Sequence, residues 1–324
     1  MNTQLQVNIQ PIIQGSTESD SNYPSVCKVL LTSIYGLEYT CTGTLISPDL
    51  VLCAAHCVDA PRIHSAVCVF KGERYEAAKR WFWSKDFNQD TIESNTTELK
   101  RLKSVELDFT LLQLNTPVLD IAPSPMMPLA EFRKLVKNGS VKSLKAVGFG
   151  RFSKFETSDL LAGSAKRSAS FTRFSFPKYT DTIKVYPTKI VKKEPVSIAV
   201  GDSGGPYFTR YRNVNYIVAT VSTITYNHQG DSSFATALSV DSVIEFFKST
   251  VFQQFTQSIG PLGYGYVKPF ERKLDLDRAK KINIDENQCI HGYCVREKPL
   301  LFAALAVVPI TLYTYLGCKV FNVK

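Results

Sequence analysis

Gly201-Asp202-Ser203-Gly204-Gly205-Pro206 is the stretch around which the rest of the chain is best understood. A hydroxyl flanked by glycines, with an acid beside it, meets the needs of a serine nucleophile on a tight turn, because glycine lets main-chain N–H groups face a developing oxyanion. Two stretches far upstream give it weight. Thr44-Leu45-Ile46-Ser47-Pro48-Asp49-Leu50-Val51-Leu52-Cys53 leads into Ala54-Ala55-His56-Cys57, and Glu106-Leu107-Asp108-Phe109-Thr110-Leu111-Leu112-Gln113-Leu114 places Asp108 ahead of a strand-like apolar run. Histidine, aspartate and serine thus follow one another in that order. A serine hydroxyl is a poor nucleophile at neutral pH and needs an adjacent base with a pKa near 7, which an imidazole oriented by a buried carboxylate supplies.

These three motifs, in this order and at these separations, resemble the trypsin/chymotrypsin-like family of serine peptidases, in which the nucleophile sits in GDSGGP and the base in TAAHC. The likeness runs over about residues 12 to 258. It implies an all-β fold of two six-stranded antiparallel β-barrels packed together with a C-terminal helix. It also implies a catalytic triad of His56, Asp108 and Ser203, with the N–H groups of Gly201 and Ser203 as the oxyanion hole, and a disulfide between Cys41 and Cys57.

Further matches to the family concern activation and substrate choice. Ile12-Ile13-Gln14-Gly15 resembles the Ile-Val-Gly-Gly start of mature members, which implies that an α-amino group freed at Ile12 pairs with Asp202. Pro11 stands where many zymogens carry arginine or lysine, so a trypsin-like activator is not expected to cut there. A zymogen awaiting another activating protease, and a chain that settles its loops without cleavage, both stay open. Ser197 falls at the base of the primary substrate pocket, and Ser222-Thr223-Ile224 resembles the Ser-Trp-Gly strand that lines the groove. An uncharged base and Ile224 in place of glycine imply a shallow pocket for a small or apolar side chain. Ala199 stands where the family commonly has cysteine, so the disulfides that usually brace this pocket are absent from the sequence.

Bulk properties agree with a large globular unit plus an appendage. The 324 residues are 44% apolar, which is ordinary for a folded protein and excludes disorder over the whole chain. The 38 basic residues exceed the 29 acidic ones by nine, but they are scattered and accompany no base-reading motif, so no nucleic-acid partner is expected. Eight cysteines, five of them in the first 68 residues, fit an oxidising compartment. Cys27, Cys53 and Cys68 have no partner that can be deduced. Cys289 and Cys294 enclose a spacing that suits a small closed loop; with His291 they offer three soft donors without a fourth, so no metal and no cofactor is expected.

From Tyr23 to Phe152, and again from Thr182 to Leu238, brief β-branched or aromatic runs alternate with turn residues, the texture of a barrel or sandwich. The polar segment 84–103 is expected as a surface insertion, and Ser164 to Lys178 as a second exposed loop. Asn95-Thr96-Thr97 and Asn138-Gly139-Ser140 fit glycosylation acceptors in a secretory pathway. Asp241 to Phe255 carries apolar residues at spacings of three and four, an amphipathic helix closing the catalytic domain.

Residues 1–11 show no secretory signal pattern, and residues 259–298 are expected as a tether carrying the Cys289/Cys294 loop. Residues 299–318, charge-free and long enough to span a bilayer, are expected as a hydrophobic transmembrane helix, followed by a short 319–324 tail. The expected placement is therefore secreted or in the cell envelope, membrane-anchored with the protease domain outside the cytosol. The sequence supports an active serine endopeptidase acting on protein or peptide substrates; the alternative is a catalytically silent, protease-like binding module.

Overall fold

In Val26–Ser33 buried side chains alternate with half-buried ones along much of the strand, the two-residue period of a strand with one face in a core. The computed structural model describes residues 12, 15–33, 35–59, 63–84, 87, 97–150, 165–188, 190–191, 194–226, 232–247, 289–290 and 293–295. In its amino-terminal half, β1 is Ser16–Thr17, β2 Val26–Ser33, β3 Glu38–Ser47, β4 Leu50–Cys53, β5 Ile63–Phe70, β6 Glu73–Ser84 and β7 Thr110–Leu114. Strands β6, β5, β2, β3, β4 and β7 pair in that order, and β6 also pairs with β7, closing a six-stranded antiparallel barrel. Its interior is filled by Leu45, Val51, Phe70 and Leu112 together with the thiols of Cys27, Cys53 and Cys68, all buried.

The second sheet takes β1 from the amino end and everything else from the later chain. Its other strands are β8 (Leu144–Gly148), β9 (Arg167–Phe171), β10 (Phe174–Ser175), β11 (Thr182–Val185), β14 (Pro206–Tyr211), β15 (Val214–Tyr226) and β16 (Ser232–Ser239). They run in the order β1-β9-β8-β14-β15-β16-β11-β10. The expectation of two closed six-stranded barrels is therefore corrected: among the described residues the second sheet is curled but open. Its edges, β1 and β10, are two residues long, and the segment after β11 pairs with itself as β12 (Ile190–Val191) and β13 (Glu194–Pro195) rather than bridging the gap.

Among the described residues four helices complete the frame: α1 (Ala55–Asp59), α2 (Glu98–Val105), α3 (Leu129–Lys137) and α4 (Asp241–Phe247). Helix α3 buries Leu129, Phe132 and Leu135 against the second sheet, and the Asp241 carboxylate accepts the Leu129 N–H at 3.2 Å, where the helix's free amides favour an anion. The closing helix is described as far as Phe247; residues 248–258 lie outside the described residues. Helix α2 begins inside what the sequence presents as a polar insertion and runs two residues past it, burying Leu102 and Val105.

The expected exposed loop at Ser164 to Lys178 is also corrected. Lys166 and Arg167 are 3% exposed, and Arg167–Phe171 pairs with both β1 and β8. The buried ammonium of Lys166 is satisfied by the carbonyls of Asn22 and Tyr23, which the sequence around Lys166 does not announce.

Between barrel and sheet lies a shared core. Ile46, Leu50 and Phe109 from one side meet Phe208, Ile217, Leu238 and Ile244 from the other, and the hydroxyl of Ser124, in the segment that leaves the barrel, hydrogen-bonds that of Ser25 at 2.7 Å. A short hairpin, β17 (Cys289–Ile290) and β18 (Tyr293–Val295), adds to β6, with Cys289 opposite Cys294 in its register. Residues 1–11, the rest of 259–298 and the apolar 299–318 stretch, like Asn95, lie outside the described residues. Among the described residues no helix is long and apolar enough to cross a membrane.

The barrel interior leaves no room at Gly43, where a Cβ would stand 2.5 Å from the Val51 Cγ1 and 2.9 Å from the Val29 Cγ2. Gly43→Ala is therefore expected to lower stability by about 1–3 kcal/mol through overpacking. Urea unfolding checks it: an unchanged midpoint would show that the barrel relaxes without cost.

Candidate active site

His56 sits in the one-turn helix α1, directly after β4, and Asp108 sits between α2 and β7; because β4 pairs with β7, Cys53 opposite Thr110, the two residues are brought together. The Asp108 carboxylate has no solvent exposure. Its Oδ1 accepts the backbone N–H of His56 at 2.9 Å, and its Oδ2 lies 2.8 Å from the His56 Nδ1 and accepts the Ser222 hydroxyl at 2.5 Å. Burial pushes the Asp108 carboxyl up, yet the charge and hydrogen bond of His56, the Ser222 hydroxyl and the His56 amide outweigh it, and the net shift is downward. An ionised carboxylate only accepts, so Nδ1 of His56 carries the proton and Nε2 of the neutral ring carries the lone pair.

Ser203 stands on a turn made by glycine. Gly201 and Gly204 have φ of +96° and +80°, in the region L side chains avoid. A Cβ at Gly204 would meet the Thr42 carbonyl oxygen at 2.4 Å and the Cys53 sulfur at 2.6 Å, so the turn presses against the barrel wall that leads to His56. Thr42 fastens it there. Its N–H donates to the Ser203 carbonyl at 2.9 Å, while its hydroxyl donates to the Gly201 carbonyl at 2.9 Å and accepts the Phe149 N–H at 3.0 Å. Cys57 is joined to Cys41 as expected, and its sulfur lies 3.9 Å from the Ser203 carbonyl oxygen. The histidine loop and the serine turn thus share one wall. Among the described residues the N–H groups of Gly201 and Ser203 meet no hydrogen-bond acceptor.

Asp202 turns the other way. Its carboxylate accepts the Gly150 N–H at 2.8 Å and the Ala199 N–H at 2.9 Å, and it fits only because residues 148 and 150 are glycines, whose Cβ atoms would stand 2.2 Å and 2.6 Å from it. Burial pushes this carboxyl up to about 7 against those two donors. The nitrogen of Ile12 in this chain is the amide following Pro11, and the Ile12 side chain is buried in the core of the second sheet.

The residues expected to form the substrate pocket divide. The Ser197 hydroxyl is buried without a hydrogen-bond partner among the described residues. Ile224 is half-buried against the second-sheet core. Ser222 spends its hydroxyl on Asp108, a role its place in the motif string does not disclose. Thr42 escaped sequence reasoning altogether; its only signal is adjacency to Cys41. His64 is exposed near the start of β5, and His228 and His291 lie outside the described residues.

With this geometry in place, family membership can be stated. The family model described as Trypsin matches residues 12–245, and the chain belongs to that family of serine peptidases. A solved structure described as HL collagenase is similar to it with a TM-score of 0.52 at 17% identity, covering 76% of this chain and 99% of that one. At that identity the likeness speaks for the fold alone.

The desolvated carboxyl of Asp202 gives a pH signature. Asp202 keeps its proton in the folded chain between its ordinary 3.8 and about 7, where the unfolded chain has lost it. This contribution to stability therefore falls as pH rises through that window and levels off above it. Relative to Asp202→Asn, the intact chain is expected to lose about 1.4 kcal/mol for each unit by which the carboxyl is raised. Unfolding midpoints measured across the window test this, and parallel curves for the two proteins would refute it.

Proposed function

We propose that this protein is a serine endopeptidase in which Ser203 is the nucleophile, His56 the base and Asp108 the group that orients the ring. The observation that carries the reading is the buried, ionised Asp108 held by both His56 and Ser222, with Ser203 on a glycine turn fastened to the same wall. The Ser203 oxygen would attack the scissile carbonyl carbon as its proton passes to Nε2 of His56. The imidazolium would then give that proton to the leaving amine as the acyl-enzyme forms, and water would repeat the sequence to release the acid. The N–H groups of Gly201 and Ser203 would hold the oxyanion, an interaction worth about 3–4 kcal/mol per donor.

The pocket reading rests on Ser197 and Ile224. A buried hydroxyl offers no charge to a lysine or arginine side chain, and Ile224 narrows the approach, which supports a small or apolar residue before the scissile bond. Activation rests on Asp202. Its carboxyl is desolvated, and an ammonium freed at Ile12 would be the cation that restores its charge; an activating protease that tolerates Pro11 would be the partner.

The Cys41–Cys57 disulfide supports a compartment outside the cytosol. Residues 299–318, twenty without a charge, support a membrane tether following the 12–258 peptidase domain and the 259–298 linker.

A second reading, a silent binding module, draws on the desolvated Asp202 of the uncleaved chain. A fluorophosphonate probe separates the two. Labelling is expected at Ser203, lost in Ser203→Ala and lowered by about 10⁴-fold or more in His56→Ala, with cleavage faster at peptides carrying alanine or valine before the scissile bond than lysine. No labelling of folded protein, whether or not the bond before Ile12 is cut, would leave the binding module. For the tether, the full chain is expected in the membrane pellet after an alkaline wash and a chain ending at Lys298 in the supernatant; equal release of both would end that proposal.

A further inference from the structure

Away from Ser203, but on the same seam, the face of α2 meets the edge of the second sheet. Between them is a groove of about 320 Å³, large enough for one or two side chains. Its floor is apolar, from Leu99 and Leu102 of α2 and from Phe176 and Tyr186 across the gap. Leu99 is left 49% exposed there. Lys178 and Lys184 line the same groove.

The cations here outnumber the anions, and they are held in place. Lys184 lies 4.5 Å from the centre of the Phe234 ring and Arg101 5.9 Å from it, while Arg173 stacks 5.6 Å over Tyr186. Glu98 is the carboxylate that lines the groove, and it sits on Lys184. The lysine side chain is 16% exposed and the glutamate 61%, so the anchored partner is the cation and the carboxylate reaches to it from solvent. Glu106, at the far end of α2, is engaged with Lys103 and the Asp181 amide. The hydrogen bond and charge of Lys184 hold the Glu98 carboxyl below its usual range, which marks the spot as one that favours an anion.

A second observation concerns the backbone. Strand β10 is the outermost strand of its sheet and, among the described residues, pairs on one side only, with β11. A free strand edge beside an apolar groove is the arrangement by which an extended peptide adds its main chain to a sheet and its side chains to a pocket. The groove is also linked to the catalytic seam: α2 runs into Asp108, and Phe234 lies on β16, which pairs with the strand that carries Ser222.

We propose that this groove docks an extended segment of a protein substrate in which an acidic side chain neighbours an apolar one, the acid replacing Glu98 on Lys184 and the apolar group resting on Leu99, Leu102 and Phe176. That the occupant is a substrate rests on the serine-peptidase reading; the binding itself does not. The test uses the full chain with Ser203→Ala, so that nothing is cut, and two fluorescein-labelled peptides that differ in one residue: leucine, glutamate, phenylalanine against leucine, lysine, phenylalanine. Fluorescence anisotropy is expected to show binding of the glutamate peptide that weakens with added salt and exceeds that of the lysine peptide. Lys184→Gln is expected to weaken it by about tenfold or more, the loss of one charge-assisted hydrogen bond, and Glu98→Ala to strengthen it by removing the competing carboxylate. Equal affinity for the two peptides, or affinity unchanged by Lys184→Gln and by Lys178→Glu in chains of native circular dichroism, overturns the proposal. Fluorophosphonate labelling of the wild-type chain reads the peptidase assignment separately: a reactive Ser203 with no peptide selectivity removes the groove alone, and selective binding with an inert Ser203 removes the peptidase alone.

Discussion

A carboxylate with no access to water binds the two halves of this protein to each other. Asp108 belongs to the chain that enters the barrel, and its hydrogen bonds come from His56 of the barrel and from Ser222 of the second sheet. A buried charge is tolerated only when its oxygens are filled by donors, and leaving one open costs about 1–3 kcal/mol or more. The spacing of the halves across the seam is therefore set by hydrogen-bond length at this point, more tightly than an apolar core sets it. Phe109, next in the chain, is fully buried in the shared core, so the same stretch supplies both the polar tie and part of the packing around it.

Asp202 shows the same physics with the opposite outcome. It is as deeply buried as Asp108, but its donors are two neutral amides and its carboxyl rises to about 7, whereas Asp108, with an imidazole beside it, falls. Two acids in one domain are thus held in different protonation states at mildly acidic pH, one by a neighbouring group able to carry positive charge and one by desolvation that two neutral amides do not offset. The glycines at 148 and 150 give Asp202 room without giving it a counter-charge. A site built in this way has its histidine–aspartate pair formed, while the loop beside Ser203 carries a desolvated acid.

What the sequence disclosed follows from how local each feature is. A glycine-flanked serine, a histidine after an apolar strand and an aspartate before another are short strings whose chemistry survives without knowledge of the fold, and the pairing of β4 with β7 did bring His56 and Asp108 together. The Cys41–Cys57 bond followed from family likeness alone and is present. Features that depend on distant chain were not legible. Thr42 acts through Gly201 and Phe149, each more than a hundred residues away, and a threonine inside a strand looks like any other. Lys166 reads as loop because burial of its ammonium depends on the carbonyls of Asn22 and Tyr23, which the turn before β2 delivers, and Arg167 because its strand forms only by pairing with the distant β1 and β8. Closure of the second sheet, likewise, depends on which strand edge meets which, and periodicity within one strand holds no information about that.

The unpaired thiols fit the same account of burial. The sulfurs of Cys41, Cys53 and Cys57 lie within 4.8 Å of one another, near enough for a free thiolate at Cys53 to attack the bond between the other two. Burial pushes the Cys53 thiol up, and Cys68 and then Asp108 add to the effect against the Ala54 amide, so at neutral pH the attacking species is nearly absent. Cys27 is raised in the same way, by burial first and by Cys68 next to it. Cys27, Cys53 and Cys68 are all buried, and the two thiols that burial holds protonated, Cys27 and Cys53, are poorly disposed to exchange with the disulfide beside them. The carboxylate that joins the two halves of the domain thereby also adds, after burial and Cys68, to what holds the Cys53 thiol protonated beside the Cys41–Cys57 bond.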